Sequence, residues 1–362
     1  MQKNRKASFS KVKLIGAIFI CSCQINAASA QDDPVVKAAI LDSNEIKIGN
    51  LYNSGVSKMG QKQYDAAIAD FDQAIGLKPD FQEAFYNRGL AKYQLKKYDE
   101  AVLDLNQSNT LKPTAEAAYF KGKSNYQIGQ YDEALADYTQ AISLNADYVE
   151  AYYFRGGIYF EQKKFNEAIA DYTQVINRDK GHAFAYNDRG SAKRQLNDFK
   201  GAIEDYNKAV LIDGSFAIAF NNMASAKRKN GDMNGAIQDY TKAIMVDANY
   251  AIAYNNRGSA KYDKGDFKGA IEDFTKAIEL DSKYYFALNN RAAAKYRNAD
   301  YKGAEEDCTK AIQLNPEYSY AYLNRGNARE MLRKDKEACE DWNKAVQLGA
   351  EGASNYISTC KN

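Results

Sequence analysis

The chain has 362 residues, 45% of them hydrophobic and 27% charged, which is the composition of a folded protein and excludes a disordered one. A single His, His182, excludes His-rich metal sites and leaves any His-dependent catalytic triad resting on one residue. Four prolines leave long stretches free of helix breakers and point to an all-α fold, and a net charge of +2 is a poor footprint for nucleic acid.

The first element in chain order is a leader over residues 1–30. Lys3, Arg5, Lys6, Lys11 and Lys13 give a basic start, and an apolar run follows from Leu14 to Cys23. Ala28-Ser29-Ala30 supplies a small-x-small cleavage pattern, with Gln31 as the new N-terminus. A second fate stands beside cleavage. Ile20-Cys21-Ser22-Cys23 loosely resembles a bacterial lipobox, which would put a lipid anchor on Cys23, although Cys21 is unusual for that motif. The run is too short to span a membrane, and the mature chain offers no other candidate span. Loss of the leader removes five basic and no acidic residues, taking the net charge from +2 to −3. The mature chain is then exported to a periplasmic or envelope setting, either secreted or lipid-anchored, and expected not to bind nucleic acid. Of its three cysteines, Cys308, Cys339 and Cys360, the pair Cys339–Cys360 is the disulfide candidate; the alternative is three small apolar fillers.

Residues 31–47 read as a lead-in or capping helix, and from residue 48 a repeat fills the chain. Ala67, Ala101, Ala134, Ala168, Ala202, Ala236, Ala270, Ala304 and Ala338 recur every 34 residues, with one interval of 33. Four residues after each stands a larger side chain (Phe71, Leu105, Tyr138, Tyr172, Tyr206, Tyr240, Phe274, Cys308, Trp342), and seven after stands a small one, on one helical face. An earlier stripe in each unit carries Gly at its eighth place in most copies, as Gly89, Gly190 and Gly258. Glycine is costly inside a helix, so the expectation is a close approach to a small residue of the partner helix. Turn signals such as Asn197-Asp198 and Gly265-Asp266 separate the two stripes, and Pro79, Pro113 and Pro316 share one slot after the second.

This pattern resembles the tetratricopeptide repeat (TPR), in nine helix-turn-helix units starting at residues 48, 82, 115, 149, 183, 217, 251, 285 and 319 and covering 48–352. The resemblance implies a right-handed superhelical solenoid, with first helices lining a concave groove and residues 353–362 forming a C-terminal cap. The family's usual early Trp is absent; Leu51, Phe85, Ala118 and Tyr152 stand in that slot in the first four units.

Two polar series recur with the repeat. An aspartate follows each repeat alanine by three residues, from Asp70 to Asp341, and a basic residue precedes the glycine slot in seven units, as Arg155, Arg189 and Arg291. A cationic ladder for acidic ligands is one reading; a brace within each hairpin accounts better for two series that recur together. Repeat six carries Met223 in the basic slot, so Asp239 needs another partner. Asparagines form a third pattern. Asn87, Asn222, Asn256, Asn290 and Asn324 share one slot, and Asn187, Asn221, Asn255 and Asn289 the slot before it. In the fold implied by the resemblance these face the groove, similar to the asparagine ladder of O-linked N-acetylglucosamine transferase repeats. An amide offers donor and acceptor together and matches a peptide backbone of any sequence; bonds between neighbouring repeats are the alternative. The Lys-Asn-Asn-Lys-Arg set of chaperone-adaptor carboxylate clamps is not assembled. At the front, Tyr86, Tyr119 and Tyr153 replace the second asparagine series, and Tyr93, Tyr126 and Phe160 follow seven residues on, suiting either ligand contact or packing.

No phosphate loop, nucleophile elbow, His-Glu-x-x-His or Cys-x-x-Cys motif occurs in the mature chain, so no catalytic residue, cofactor or metal is expected. His182 reads as a surface loop residue. The sequence thus points to a non-enzymatic protein-interaction scaffold that binds a partner's peptide in its groove. The alternative is a structural spacer or self-assembling subunit using its ends and convex face.

Overall fold

In each repeat, residues at spacings of three, four and seven cannot bury their apolar stripe alone, so two helices fold back and face each other. A computed structural model describes residues 34–357 and Cys360, with side chains from residue 42 onward. The leader and Cys23 lie outside the described residues.

Two compact units result, divided at Leu111 and Lys112. The first holds α1 (Pro34–Gly60), α2 (Tyr64–Leu77), α3 (Gln82–Gln94) and α4 (Tyr98–Leu111). Here α1 runs unbroken from the lead-in through the first helix of repeat one, so the front segment is no separate cap. The second unit opens with α5 (Ala115–Gln127), α6 (Tyr131–Leu144), α7 (Val149–Glu161), α8 (Phe165–Arg178), α9 (Ala183–Gln195) and α10 (Phe199–Ile212). It continues through α11 (Ala217–Lys229), α12 (Met233–Val246), α13 (Ala251–Asp263), α14 (Phe267–Leu280), α15 (Tyr285–Arg297) and α16 (Tyr301–Leu314), and closes with α17 (Ser319–Met331), α18 (Asp335–Gln347) and the single turn α19 (Ser354–Ile357). The described residues contain helices and turns and no strand.

Local chemistry sets the hairpin turns. Asn197, Gly231, Gly265 and Ala299 adopt positive φ of 62°, 90°, 84° and 62°, reversing the chain. The aspartate that follows each then caps the next helix: Asp198, Asp232, Asp266 and Asp300 accept from the backbone N–H three residues on. Prolines 79, 113 and 316 sit two residues beyond α2, α4 and α16, where no helical N–H is lost.

The repeat alanines are sealed at 0–1% exposure, and Tyr138, Tyr206, Tyr240, Phe71, Phe274 and Trp342 are large side chains buried with them. The glycine slot corrects one expectation. It faces the large residue of the partner helix, not a small one. A Cβ on Gly258 would lie 2.9 Å from Phe274, and one on Gly122 the same distance from Tyr138. The missing side chain makes room for the ring, so the hairpin closes through small against large.

Braces run between the basic slot and the aspartate sixteen residues on. Arg155 donates Nε to Asp171 Oδ2 and Nη2 to Oδ1, both at 2.8 Å, and Arg189, Arg257, Arg291 and Arg325 repeat the fork on Asp205, Asp273, Asp307 and Asp341. The guanidinium does a second job. Its Nη1 donates to the threonine of the preceding hairpin, as Arg155 to Thr139 at 3.0 Å and Arg291 to Thr275 at 3.1 Å. Each arginine therefore ties two hairpins as well as two helices. Asp239 of repeat six takes Lys227 and Lys242 instead.

At the C-terminal end Cys339 and Cys360 form a disulfide spanning 21 residues. It holds the last turn where Tyr356 stacks on Trp342, ring centroids 5.2 Å apart. Cys308 is buried and free, and burial pushes its thiol up, away from reactivity. Trp342 is the sole Trp in the chain. Reduction is therefore expected to shift its fluorescence to longer wavelength as Tyr356 lifts away, with far-ultraviolet circular dichroism almost unchanged. An emission spectrum indifferent to reductant would show that the bridge does not hold this contact.

Candidate functional site

In the second unit the first helices of successive hairpins touch, α9 to α11, α11 to α13, α13 to α15 and α15 to α17, while no pair of second helices comes as close. The first helices therefore line the inner side of the stack. Their fifth and sixth residues face one another across hairpins, and the asparagines occupy those two places.

The structure divides the asparagines into two kinds. Asn187, Asn221, Asn255 and Asn289 are buried, at 5–7% exposure, while Asn222, Asn256, Asn290 and Asn324 are part-buried on the inner face. Each of the second kind donates Nδ2 to Oδ1 of the buried asparagine 35 residues earlier. The bonds are Asn222 to Asn187, Asn256 to Asn221, Asn290 to Asn255 and Asn324 to Asn289, at 2.9–3.1 Å. The buried series thus forms a hydrogen-bonded seam between repeats, the second of the two roles the sequence allowed for the asparagines. The amides were drawn inward because the seam excludes water, where an unpaired polar group would be costly.

The outer series is different. After the ladder bond, Asn222, Asn290 and Asn324 each retain an acceptor Oδ1 and one N–H with no hydrogen bond among the described residues, whereas Asn256 Oδ1 accepts from Asn255 Nδ2. Asn289, Asn290 and Asn324 border a recess of about 250 Å³ whose other wall carries Ser259, Tyr262 and the Arg228–Asp263 ion pair. In the first unit Asn87 sits in the same register, donating to Tyr52 Oη at 2.9 Å and to the carbonyl of Glu83.

The tyrosines also separate. Tyr119 is buried at 6% exposure among Phe120, Tyr138 and Tyr148, so it is core and not ligand surface. Aromatic side chains in three neighbouring positions outcompete solvent for it. Tyr86 is part-buried on α3 of the first unit. Tyr153 is part-buried on α7 and donates Oη to Asp188 Oδ2 at 2.7 Å. Tyr126 donates to Glu161 at 2.8 Å, and that carboxylate pushes its hydroxyl up to about 12. His182 is more than a loop residue: its Nδ1 accepts from Ala185 N–H at 3.1 Å and caps α9, and its ring lies 5.0 Å from that of Tyr153.

Asp188 was not singled out by the sequence. It stands in the outer asparagine slot of repeat five, and burial pushes its carboxyl above the usual carboxylate range. A carboxylate cannot donate, so the ladder reverses there: Tyr153 and Asn187 both donate to it. An acid in a slot that otherwise holds asparagine or, in Phe120 and Phe154, an aromatic ring was the available signal.

Among the described residues no group of three or more His, Cys, Asp or Glu could hold a metal, and no helix is long and apolar enough to cross a membrane.

Sequence families described as tetratricopeptide repeat match residues 119–183, 251–284, 82–114 and 185–216, and a further one described as TPR repeat matches 59–96 and 224–264. No curated protein matches the chain in sequence. Among solved structures, a tetratricopeptide repeat protein from Parabacteroides merdae is 18% identical with a TM-score of 0.55, over 68% of this chain and 99% of that one. PilF of Pseudomonas aeruginosa is 18% identical with a TM-score of 0.52, over 59% of this chain and 97% of that one. YrrB, titled a TPR protein with an unusual peptide-binding site, is 21% identical with a TM-score of 0.43, over 51% and 95%.

Proposed function

The chain belongs to the tetratricopeptide repeat family, and from that premise we propose a non-enzymatic scaffold of the cell envelope that holds an extended peptide segment of a protein partner in its inner groove. One observation carries the reading: Asn222, Asn290 and Asn324 each keep an Oδ1 and one N–H outside the ladder bonds that clamp them, in the same slot of repeats six, eight and nine. A peptide backbone offers the same pair at every residue, and clamped amides lose little freedom on binding. The basic and apolar leader supports the envelope setting.

The test is crosslinked capture from envelope extract by the native chain and by Asn222→Ala/Asn256→Ala/Asn290→Ala, with equal helicity shown first. Because those changes also remove ladder bonds worth about 1 kcal/mol each, Ala293→Phe, which fills the recess and spares the ladder, is run beside them. Both variants are expected to lose the partner held by the native chain. Capture of the same set by all three would remove the groove from consideration. It would favour the second reading, a spacer or self-assembling subunit. Leu211 and Met245, 70% and 80% exposed at equivalent places on α10 and α12, support that reading.

A further inference from the structure

Glu161 and Asp188 differ from the repeat aspartates in having no Lys or Arg partner among the described residues. Both border two adjoining recesses, of about 240 and 130 Å³, on the inner face between α7 and α9. Phe160, Phe154 and Tyr153 supply aromatic walls. The floor is Tyr172, 3% exposed. In the next two repeats the equivalent hydroxyls are satisfied, Tyr206 by Ser191 at 3.0 Å and Tyr240 by Ser225 at 2.9 Å. Repeat four has Gly157 in place of that serine, so the Tyr172 hydroxyl has no hydrogen bond among the described residues. A Cβ on Gly157 would meet only that hydroxyl, at 4.0 Å, and the space above the glycine is open.

We propose that this recess is a subsite for a cationic side chain, Lys or Arg, of the peptide lying in the groove. Two carboxylates without a Lys or Arg partner supply the charge, with His182 as the one titratable cation acting on Asp188; the aromatic faces suit an ammonium or guanidinium, and the Tyr172 hydroxyl supplies one more acceptor. A neutral or acidic side chain would leave the part-buried Asp188 without an opposite charge, while the exposed Glu161 adds its charge at the rim. The inference rests on the groove reading and extends it from backbone capture to a sequence preference.

The sequence itself offers two variants expected to fold, because each carries a residue the same slot holds in neighbouring repeats. Asp188→Asn restores the residue found in that slot of repeats six to nine, and Gly157→Ser restores the serine of repeats five to seven. The probes are three labelled, capped nonapeptides with one Ala/Gly/Ser frame and Arg, Lys or Gln at the centre, read by fluorescence anisotropy at low salt. The native chain is expected to bind the Arg or Lys peptide at least about tenfold tighter than the Gln peptide, and each variant to cut that ratio below about threefold. Equal binding of all three peptides, or a preference that survives Asp188→Asn, overturns the subsite and leaves the groove reading standing. A preference untouched by Asn256→Ala/Asn290→Ala keeps the subsite and overturns the amide groove. Binding of none of the three overturns both.

Discussion

Replacing Asp307 by Ala is expected to destabilise the second unit by about 3–5 kcal/mol, as breaking a buried ion pair does when one partner is removed. Asp307 is 2% exposed and takes Arg291 twice, Nε and Nη2 both at 2.7 Å, and Lys295 at 2.8 Å. The carboxylate is the shared centre. Its loss strands a guanidinium and an ammonium whose side chains are only 14% and 18% exposed. It also frees Arg291, whose Nη1 ties the hairpin to Thr275 of the hairpin before. Nearest-neighbour coupling then carries the damage outward, because a repeat array is stable only through its interfaces. Amide exchange should show α15 and α16 opening first, ahead of α9 and α10. The contrast is the Lys276–Glu279 pair, with side chains 46% and 58% exposed, where Glu279→Ala should shift stability by less than about 0.5 kcal/mol. A loss under about 1 kcal/mol at Asp307 would mean that the braces are decoration on a fold held by its alanines and rings.

Much of this architecture is legible without coordinates because it is written nine times. The alanines at 34-residue steps report a surface that allows no larger side chain, and a register error in one copy stands out against the others. The braces are legible for the same reason: Arg and Asp sixteen residues apart in one hairpin can meet only if the helices run antiparallel. What the pattern hides is anything set between repeats. The asparagines of slots five and six look equivalent in sequence, since both fall on the inner side of one helix. Only the packing of the neighbouring hairpins separates them, burying Asn221 and leaving Asn222 part-buried. Tyr119 is likewise enclosed by rings on neighbouring elements, which its own repeat does not reveal. The glycine slot misled differently. Small and large residues share the facing stripe, and periodicity cannot say which of them meets the slot.

That slot makes the second large prediction. Gly258→Leu is expected to cost about 2–3 kcal/mol, although leucine is the better helix former by close to 1 kcal/mol. The cost arises at the first atom beyond the backbone. A Cβ there would stand 2.9 Å from Phe274 Cε1 and 3.2 Å from the carbonyl oxygen of Ala270. Neither neighbour can yield easily, because the ring is 1% exposed and the carbonyl belongs to α14. The chain contains its own control. Repeat eight carries Ala292 in the glycine slot, and opposite it stands Cys308, far smaller than a ring and fully buried. Repeat six holds Ala224 beside the buried Tyr240 ring, so a single methyl can be accommodated in that slot and the cost of leucine lies in its branched carbons as well as its Cβ. Phe274→Ala alone should lose about 3–5 kcal/mol through the cavity it opens. In Gly258→Leu/Phe274→Ala the leucine grows into that cavity, so the double variant should lose at least about 1 kcal/mol less than the two single losses together. Thermal or urea melts of the four chains measure the cycle. Strict additivity would show that the glycine and the ring do not compete for the same space, and the slot would need a different explanation.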